Sequence, residues 1–185
     1  SINNNMHIIK KYSNKYLFKE SNLFFDWYLP LFLSKKKASN IKIKSNRILL
    51  KLYNRLNFSN SYFVHRDYHV QNLMKVGKKV GVIDSQDALI GNPAYDVVSL
   101  IDDVRIKTSV KLKNQIYSYY LKKIPRNYKI NPKKFLEDFK ILSVQRSLKI
   151  IGIFSRLFTR DKKKQYLKFI PYTWQLLEMR MDSEI

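Results

Sequence analysis

The chain has no cysteine among its 185 residues. That excludes a disulfide framework and any thiolate metal or redox centre, and it fits a reducing compartment. No apolar run approaches the roughly 18 residues that a membrane-spanning helix needs. The opening residues, SINNNMHIIKK, lack the apolar stretch and small-residue cleavage site of a secretory signal. Together these absences predict a cytoplasmic protein with no membrane contact. The chain starts at Ser1 and its first methionine is Met6, as expected of a piece of a longer polypeptide. Acidic residues are scarce, 14 against 36 Lys and Arg, for a formal charge of +22. Apolar residues are not: 45% of the chain is hydrophobic and 14% aromatic, which suits a packed core and argues against wholesale disorder. At this length one domain, residues 1–185, is expected.

So basic a balance usually points to nucleic acid or an anionic surface. The acids, however, are gathered. Residues 67–103 hold Asp67, Asp84, Asp87, Asp96, Asp102 and Asp103 against Lys75, Lys78 and Lys79 alone. A basic chain that concentrates its aspartates in one segment has a local use for negative charge. The remainder, rich in Lys, Asn, Ile and Tyr, reads as compositional bias. A basic helical module binding nucleic acid stays as the lesser reading, with steep salt dependence as its signature.

The apolar pattern predicts mostly helix. Residues 14–29 form an amphipathic stretch through Tyr16, Leu17, Leu23, Phe24, Trp27 and Tyr28 that should end near Pro30. Lys35 to Lys37 read as a loop, and 41–58 as helix through Ile48, Leu49, Leu52 and Leu56. Tyr62-Phe63-Val64 is a short β-type run. Asn72–Val76 and Val80–Ile83 read as paired strands joined by Gly77-Lys78-Lys79, with glycine at a positive-φ position. Gly91-Asn92-Pro93 marks a turn before a helix from Ala94 to Arg105. Helix 109–123 should stop before Pro125. Asn131-Pro132 supplies an N-cap and first-turn proline for a long helix through Phe135, Phe139, Leu142, Leu148 and Ile151. A last helix follows Pro171. The loop-rich middle is also the acidic part, and loops on a rigid helical scaffold are where function concentrates.

The string His65-Arg66-Asp67-Tyr68-His69-Val70-Gln71-Asn72, followed by Gly81-Val82-Ile83-Asp84, carries the chemistry. A hairpin brings its two ends together, so Asn72 and Asp84 should meet, with Asp67 at the mouth. An amide oxygen beside carboxylates is a hard-oxygen site suited to Mg²⁺, which takes one or two carboxylates plus water and phosphate oxygens. The other carboxylate can accept a hydroxyl proton. His65, Asp67 and Asn72 match the kinase catalytic loop H-R-D-x-x-x-x-N position for position, and Asp84 follows at the distance of a metal-binding aspartate.

VHRDYHVQNLM and GVIDSQDALIGNPAYDVVSLIDDVR resemble the aminoglycoside phosphotransferase and choline kinase superfamily rather than protein kinases. Within it, the chain is similar to bacterial kinases that phosphorylate the anomeric hydroxyl of N-acetylmuramate and N-acetylglucosamine. LFFDWYLP (23–30) and QRSLKIIGIFSRLFTRD (145–161) carry that narrower likeness, so it covers about residues 20 to 180. The resemblance implies the mainly α C-terminal lobe of a protein-kinase-like α+β fold with one small β-hairpin. It implies Asp67 as catalytic base, Asn72 and Asp84 as ligands of the Mg²⁺ on ATP, and His65 as a brace of the catalytic loop. The acceptor would be a small hydroxyl compound, an amino-sugar of cell-wall recycling first. An aminoglycoside, choline or homoserine-like alcohol is the alternative. Ser85 stands where the family usually has an aromatic, which loses packing but no ligand. No Gly-rich strand-turn-strand or phosphate-contacting lysine precedes Asp67. The resemblance thus implies the C-terminal lobe alone: either the sequence is truncated and its N-terminal lobe is needed in cis, or another polypeptide supplies the rest, and the chain should be inactive by itself. A non-catalytic remnant lobe is a further alternative.

Other residues carry blander expectations. His65 and His69 have zinc-helix spacing, but Arg66 stands where that motif needs Glu, so His69 is read as bracing the loop. Asp87 reads equally as a substrate or second-metal contact and as a turn or cap residue. Asp96 suits the start of a helix, where the dipole favours negative charge. Asp102 and Asp103 read as a solvated helix face pairing with Arg105 or Lys107. Arg146, Lys149, Arg156 and Arg160 share helical spacing; one could meet an anionic substrate such as the muramate carboxylate, but each taken singly reads as solvated surface. Trp27, Tyr28 and Trp174 read as core before sugar platform.

Overall fold

The computed structural model describes residues 9–125 and 128–182 and is mainly helical, with two small antiparallel strand pairs. The first amphipathic stretch forms α1 (Asn14–Leu23), then widens into one π-helical turn (Phe24–Tyr28) and tightens into a 3-10 turn (Leu29–Leu31) containing Pro30. The expected single helix over 14–29 is therefore three successive pitches. The change of pitch coincides with a close crossing: a Cβ on Gly152 would lie 2.3 Å from the Leu23 carbonyl carbon and 2.5 Å from the Phe24 nitrogen.

Next comes α2 (Lys35–Tyr53), whose N-cap is Ser34, its hydroxyl accepting the Lys37 amide at 3.4 Å. Lys35 to Lys37 are thus a first helical turn and not a loop. Lysine is a good helix former and Ser34 satisfies an otherwise orphaned donor, which together outweigh the polarity of the run. The helix also ends at Tyr53 rather than 58.

Four short strands follow: β1 (Tyr62–Val64), β2 (Leu73–Val76), β3 (Lys79–Val82) and β4 (Leu89–Gly91). β2 and β3 form the anticipated hairpin, with Leu73 opposite Val82 and Val76 opposite Lys79. The turn is tighter than expected, because Lys79 pairs in the ladder and only Gly77, at φ +59°, and Lys78 turn the chain. β4 was not evident in the sequence; it pairs with β1, Tyr62 opposite Gly91. On its other edge the Tyr12 amide donates to the Ile90 carbonyl at 2.7 Å.

The remaining helices are α3 (Ala94–Ile101), α4 (Val110–Lys123), α5 (Pro132–Thr159) and, after a 3-10 segment at Lys164–Phe169, α6 (Ile170–Asp182). Asn131 caps α5 as expected, accepting the Lys134 amide at 3.1 Å. α3 stops at Ile101, not Arg105, because Asp102 and Asp103 turn inward. They are buried rather than solvated. Asp102 binds Lys113 Nζ (3.1 Å), Arg180 Nε and Nη2 (both 2.9 Å) and Ser143 Oγ (2.7 Å). Asp103 accepts the amides of Val70 (3.2 Å) and Arg105 (3.0 Å). The expected pairing with Arg105 holds for Asp103, whose Oδ1 lies 3.7 Å from Arg105 Nη1, whereas the partners of Asp102 come from α4, α5 and α6 and are not revealed by local sequence.

Helix α5 is the central element, packed against α1, the π turn, α3 and α6 around Tyr95, Phe135, Phe139, Leu142, Ile151 and Leu176. Among the described residues no helix is long and apolar enough to cross a membrane. Because α1 and α5 touch backbone to backbone at Gly152, Gly152→Ala should cost about 1–3 kcal/mol through overpacking. The measurement is the urea midpoint, expected to fall at unchanged m-value; a wild-type midpoint would mean that the two helices part without cost.

Candidate active site

β1 delivers the chain into a sharp turn at His65-Arg66-Asp67. Arg66 adopts φ +72°, a conformation that L side chains rarely take. Asp96, in the first turn of α3, holds it there: its carboxylate accepts the His65 amide at 2.7 Å and the Arg66 amide at 3.0 Å. Burial pushes the Asp96 carboxyl up, only partly offset by these two amides.

Four further bonds connect this turn to the hairpin. The Asn72 side-chain amide donates to the Asp67 carbonyl at 2.9 Å and to Asp84 Oδ2 at 3.4 Å. The Ile83 amide donates to the Asn72 carbonyl at 3.1 Å. The His65 ring donates through Nε2 to the Ile83 carbonyl at 2.9 Å. Asp84 follows at φ +70°, a second strained position, its Oδ1 accepting Gln86 Nε2 at 2.5 Å. Asp67, Asn72 and Asp84 therefore converge, with His65 tying the two arms together. A cavity of about 540 Å³ shares Tyr68 and Asp96 with this loop, but none of these three residues lines it.

The Asp67 carboxylate accepts no hydrogen bond among the described residues. Burial alone would raise its pKa, but the positive charges of Lys149 and Arg146, then His69 and Arg66, outweigh it and hold the carboxyl below the usual aspartate range. It is an ionised, unclaimed acceptor at neutral pH. The Asn72 amide nitrogen is committed, which leaves its Oδ1 as the atom free to turn outward. Asn72 Oδ1 and the Asp84 carboxylate make two hard-oxygen donors, a chemistry suited to Mg²⁺. Among the described residues no group of three or more His, Asp or Glu can hold a metal ion. The pair thus fits an ion that brings phosphate oxygens and water as its other ligands.

Behind Asp67 lies a buried ionic cluster that local sequence gave no means of finding. Glu20 on α1 pairs with Arg66 Nη2 at 2.6 Å and Lys149 Nζ at 3.3 Å, and accepts from the Tyr12 hydroxyl and from Gln145 Nε2 at 3.3 Å. Lys149 also donates to the Tyr95 hydroxyl at 3.3 Å. Lys149 and Arg146 are 6% and 3% exposed, so the reading of them as solvated surface is overturned. The α5 face they share points into the protein beneath the loop. Arg160 does lie at the surface, paired with Asp161 at 2.7 Å.

Asp87 is exposed, and only its backbone carbonyl enters the site region, accepting Arg66 Nη1 at 2.9 Å. His65 and His69 do not share a helix, and His65 is spent on Ile83. Trp174 donates to the Tyr28 hydroxyl at 3.0 Å and packs with it against Phe24, as core aromatics do. Asp138 is a further anchor that spacing could not reveal. It accepts the amides of Asn57 (2.8 Å) and Phe58 (3.0 Å) and the side chain of Asn92 (2.6 Å), so α5 positions both the entry to β1 and the start of α3.

Removing the Asp96 carboxylate orphans two amides at a strained turn. Asp96→Ala should cost about 1–3 kcal/mol and, in hydrogen exchange, abolish protection of the His65 and Arg66 amides while α5 stays protected. Retained protection at those amides would remove Asp96 from its anchoring role. Acid provides a second measurement. Burial would raise Glu20 and Asp102, yet Lys149, Tyr12 and Arg66 hold Glu20 low, and Arg180, Lys113 and Ser143 hold Asp102 low. Below about pH 5 the unfolded chain therefore takes up protons at these groups before the folded one does. Their stabilisation is complete above that pH and is lost as pH falls through the lowered folded values; Asp96, with its raised carboxyl, contributes in the opposite sense. The urea midpoint should drop steeply in that acid window, and Asp102→Asn should flatten the drop. An equal slope in wild type and variant would contradict the assignment.

The model of the APH phosphotransferase enzyme family matches residues 21–129. The N-acetylmuramate/N-acetylglucosamine kinase of Pseudomonas aeruginosa is 33% identical over 178 residues, 92% of this chain and 52% of that protein. Kinases of the same name from Neisseria meningitidis and Caulobacter vibrioides are 32% and 35% identical, covering 89% and 63% of this chain and 50% and 33% of their own lengths. The chain thus spans about half the length, or less, of the curated relatives it matches. The family match takes in α2, the whole catalytic-loop and hairpin segment, α3 and α4. The chain belongs to the APH phosphotransferase enzyme family.

Proposed function

We propose that this chain is the catalytic lobe of a kinase that moves the γ-phosphoryl group of ATP to the anomeric hydroxyl of a small amino-sugar, N-acetylmuramate or N-acetylglucosamine. The observation that carries the reading is Asp67: its carboxyl is held below the usual aspartate range and has no hydrogen-bond partner among the described residues, while its backbone carbonyl accepts the Asn72 side-chain amide that also reaches Asp84. Family membership supports phosphoryl transfer, and the names of the relatives support the acceptor.

In this reading Asp67 accepts a hydrogen bond from the acceptor hydroxyl and aims its oxygen at the γ-phosphorus. The new O–P bond forms as the bond to the ADP oxygen breaks, and the hydroxyl proton passes to Asp67. Because the surrounding cations keep Asp67 a weak base, proton transfer comes late, once the attacking oxygen has become acidic through bonding to phosphorus. A hemiacetal hydroxyl, more acidic than an ordinary alcohol, suits such a base. Asn72 and Asp84 would hold Mg²⁺, which would supply positive charge against the phosphate groups of the nucleotide. His65 keeps Asp84 in register with the loop through Ile83.

A nucleotide lobe in cis completes the cleft in this reading. Supporting it, the chain spans about half the length of the kinases it matches. The hairpin also leaves Met74, Val76, Val80 and Val82 between 45% and 64% exposed. Residues 1–185 alone should then show no turnover.

In the protein extended through its full reading frame, Asp67→Asn should lower kcat by about 10²–10⁴ while nucleotide affinity stays as in wild type. Asp84→Ala should weaken Mg·ATP binding and turnover together. Transfer of labelled phosphate to the two sugars measures both. An Asp67→Asn enzyme that keeps most of its rate would refute the role of Asp67.

A further inference from the structure

Three neighbouring polar residues of α5, Gln145, Arg146 and Lys149, are 0%, 3% and 6% exposed. Two have partners for their donors. Gln145 Nε2 reaches the Leu17 carbonyl (3.2 Å) and Glu20 (3.3 Å), and Lys149 Nζ reaches Glu20 and Tyr95 (both 3.3 Å). Arg146 differs. Its guanidinium makes no ion pair or hydrogen bond among the described residues, and its Nε is buried without a partner. Arginine stays charged and carries five N–H donors, and a buried charge without a counter-ion is costly enough that natural structures pair it.

The surroundings say what is missing. Arg146 lies on the buried face of α5 about one turn before Lys149, which Glu20 links to Arg66 of the loop, and its charge is felt at Asp67, His69 and Asp96. Asp96 is occupied by the His65 and Arg66 amides, and Glu20 by Arg66 and Lys149. Asp67 is within the field of Arg146 but does not touch it. An acceptor that offers a hydroxyl to Asp67 and an anionic group to Arg146 would satisfy both. A planar fork of N–H donors suits a two-oxygen anion. The two sugars in the relatives' names differ in this respect, since N-acetylmuramate bears a carboxylate and N-acetylglucosamine does not.

Resting on the amino-sugar reading above, we infer that Arg146 binds the carboxylate of an acidic acceptor and so sets the preference between acidic and neutral amino-sugars. The same fork could meet the transferred phosphoryl instead, and the two sources separate by acceptor. The test uses the full reading frame, with calorimetric binding of N-acetylmuramate and N-acetylglucosamine and steady-state kinetics on both. Arg146→Gln should weaken N-acetylmuramate binding and raise its KM by about 10- to 100-fold, the loss expected for one charge-assisted bidentate contact. Any loss through the weaker field on Asp67 falls on both sugars alike, so the readout is the ratio of their KM and binding constants: the N-acetylmuramate loss should exceed the N-acetylglucosamine loss by about 10-fold or more. Arg146→Lys, which keeps the charge without the fork, should recover part of the preference, and it serves as the reporting variant if the glutamine form does not fold. Equal losses on both sugars, whether in kcat or through an upward shift of the acid limb as Asp67 loses a neighbouring cation, would overturn the proposal; so would unchanged N-acetylmuramate binding. Failure of the amino-sugar reading is distinguishable because it shows in the wild-type protein, as absence of binding and turnover with both sugars, and it takes this proposal with it.

Discussion

Two backbone amides on one carboxylate give the catalytic loop its shape. His65 and Arg66 both donate to Asp96, and Arg66 needs that support because its φ of +72° is disfavoured for a long side chain. Holding a residue in such a conformation costs on the order of 1–3 kcal/mol, whereas a hydrogen bond to a charged group returns about 1.5–3 kcal/mol. Two such bonds outweigh the strain. The anchor is itself anchored: Asp96 rides on α3, whose entry is fixed by Asn92 on Asp138 of α5. A continuous path of polar contacts thus runs from the central helix to the loop that carries Asp67. The second strained residue, Asp84, sits just after Ile83, which His65 and Asn72 hold from two sides. Strain and hydrogen bonding coincide where oxygens must converge.

The electrostatics around Asp67 follow from an unequal balance. Arg66, Arg146 and Lys149 lie close by, and Glu20 neutralises Arg66 and Lys149 by direct contact. At an effective dielectric near 20 a pair of unit charges about 4 Å apart is worth roughly 4 kcal/mol and falls to about half that at twice the distance. Modest field terms from two or three cations therefore suffice to overcome the burial of Asp67 and keep it ionised. The strongly basic composition contributes little here. Most of the lysines are solvated, while the cations that matter are three residues drawn from the loop and α5.

That Asp67, Asn72 and Asp84 come together was legible in the sequence because their spacing constrains it: Asn72 follows Asp67 by five positions, and Gly77 marks the turn that returns the chain to Asp84. Asn131-Pro132 and the long apolar period of α5 were legible for the same local reason. What was misread is non-local. Asp102 and Asp103 carry the signature of a solvated face, and only the fold brings Lys113 and Arg180 to Asp102. Arg146 and Lys149 share their helical period with the surface Arg160, and the period alone cannot tell which side meets the core. Glu20 sits 46 residues from its partner Arg66, in a helix whose pattern gave no reason to single it out. The Lys35–Lys37 turn failed for a different reason: Ser34 is a local capping signal, but the lysines outweighed it in a reading based on polarity.

A site with two protein oxygens for a divalent ion is deliberately incomplete in the proposed function, and the incompleteness has a chemical use. Octahedral Mg²⁺ has six positions and gives up its water reluctantly. With Asn72 and Asp84 filling at most three of them, affinity for the bare ion would stay low, and the ion would enter with the nucleotide phosphates. The same reasoning extends to the acceptor side. Among the described residues Asp67 has no hydrogen-bond partner and Arg146 no ion-pair partner, so in the proposed function each has capacity that a substrate would take up. In both halves of the site the protein supplies part of a coordination shell, and the cost of leaving it unfinished in the free state is recovered as discrimination when the matching ligand binds.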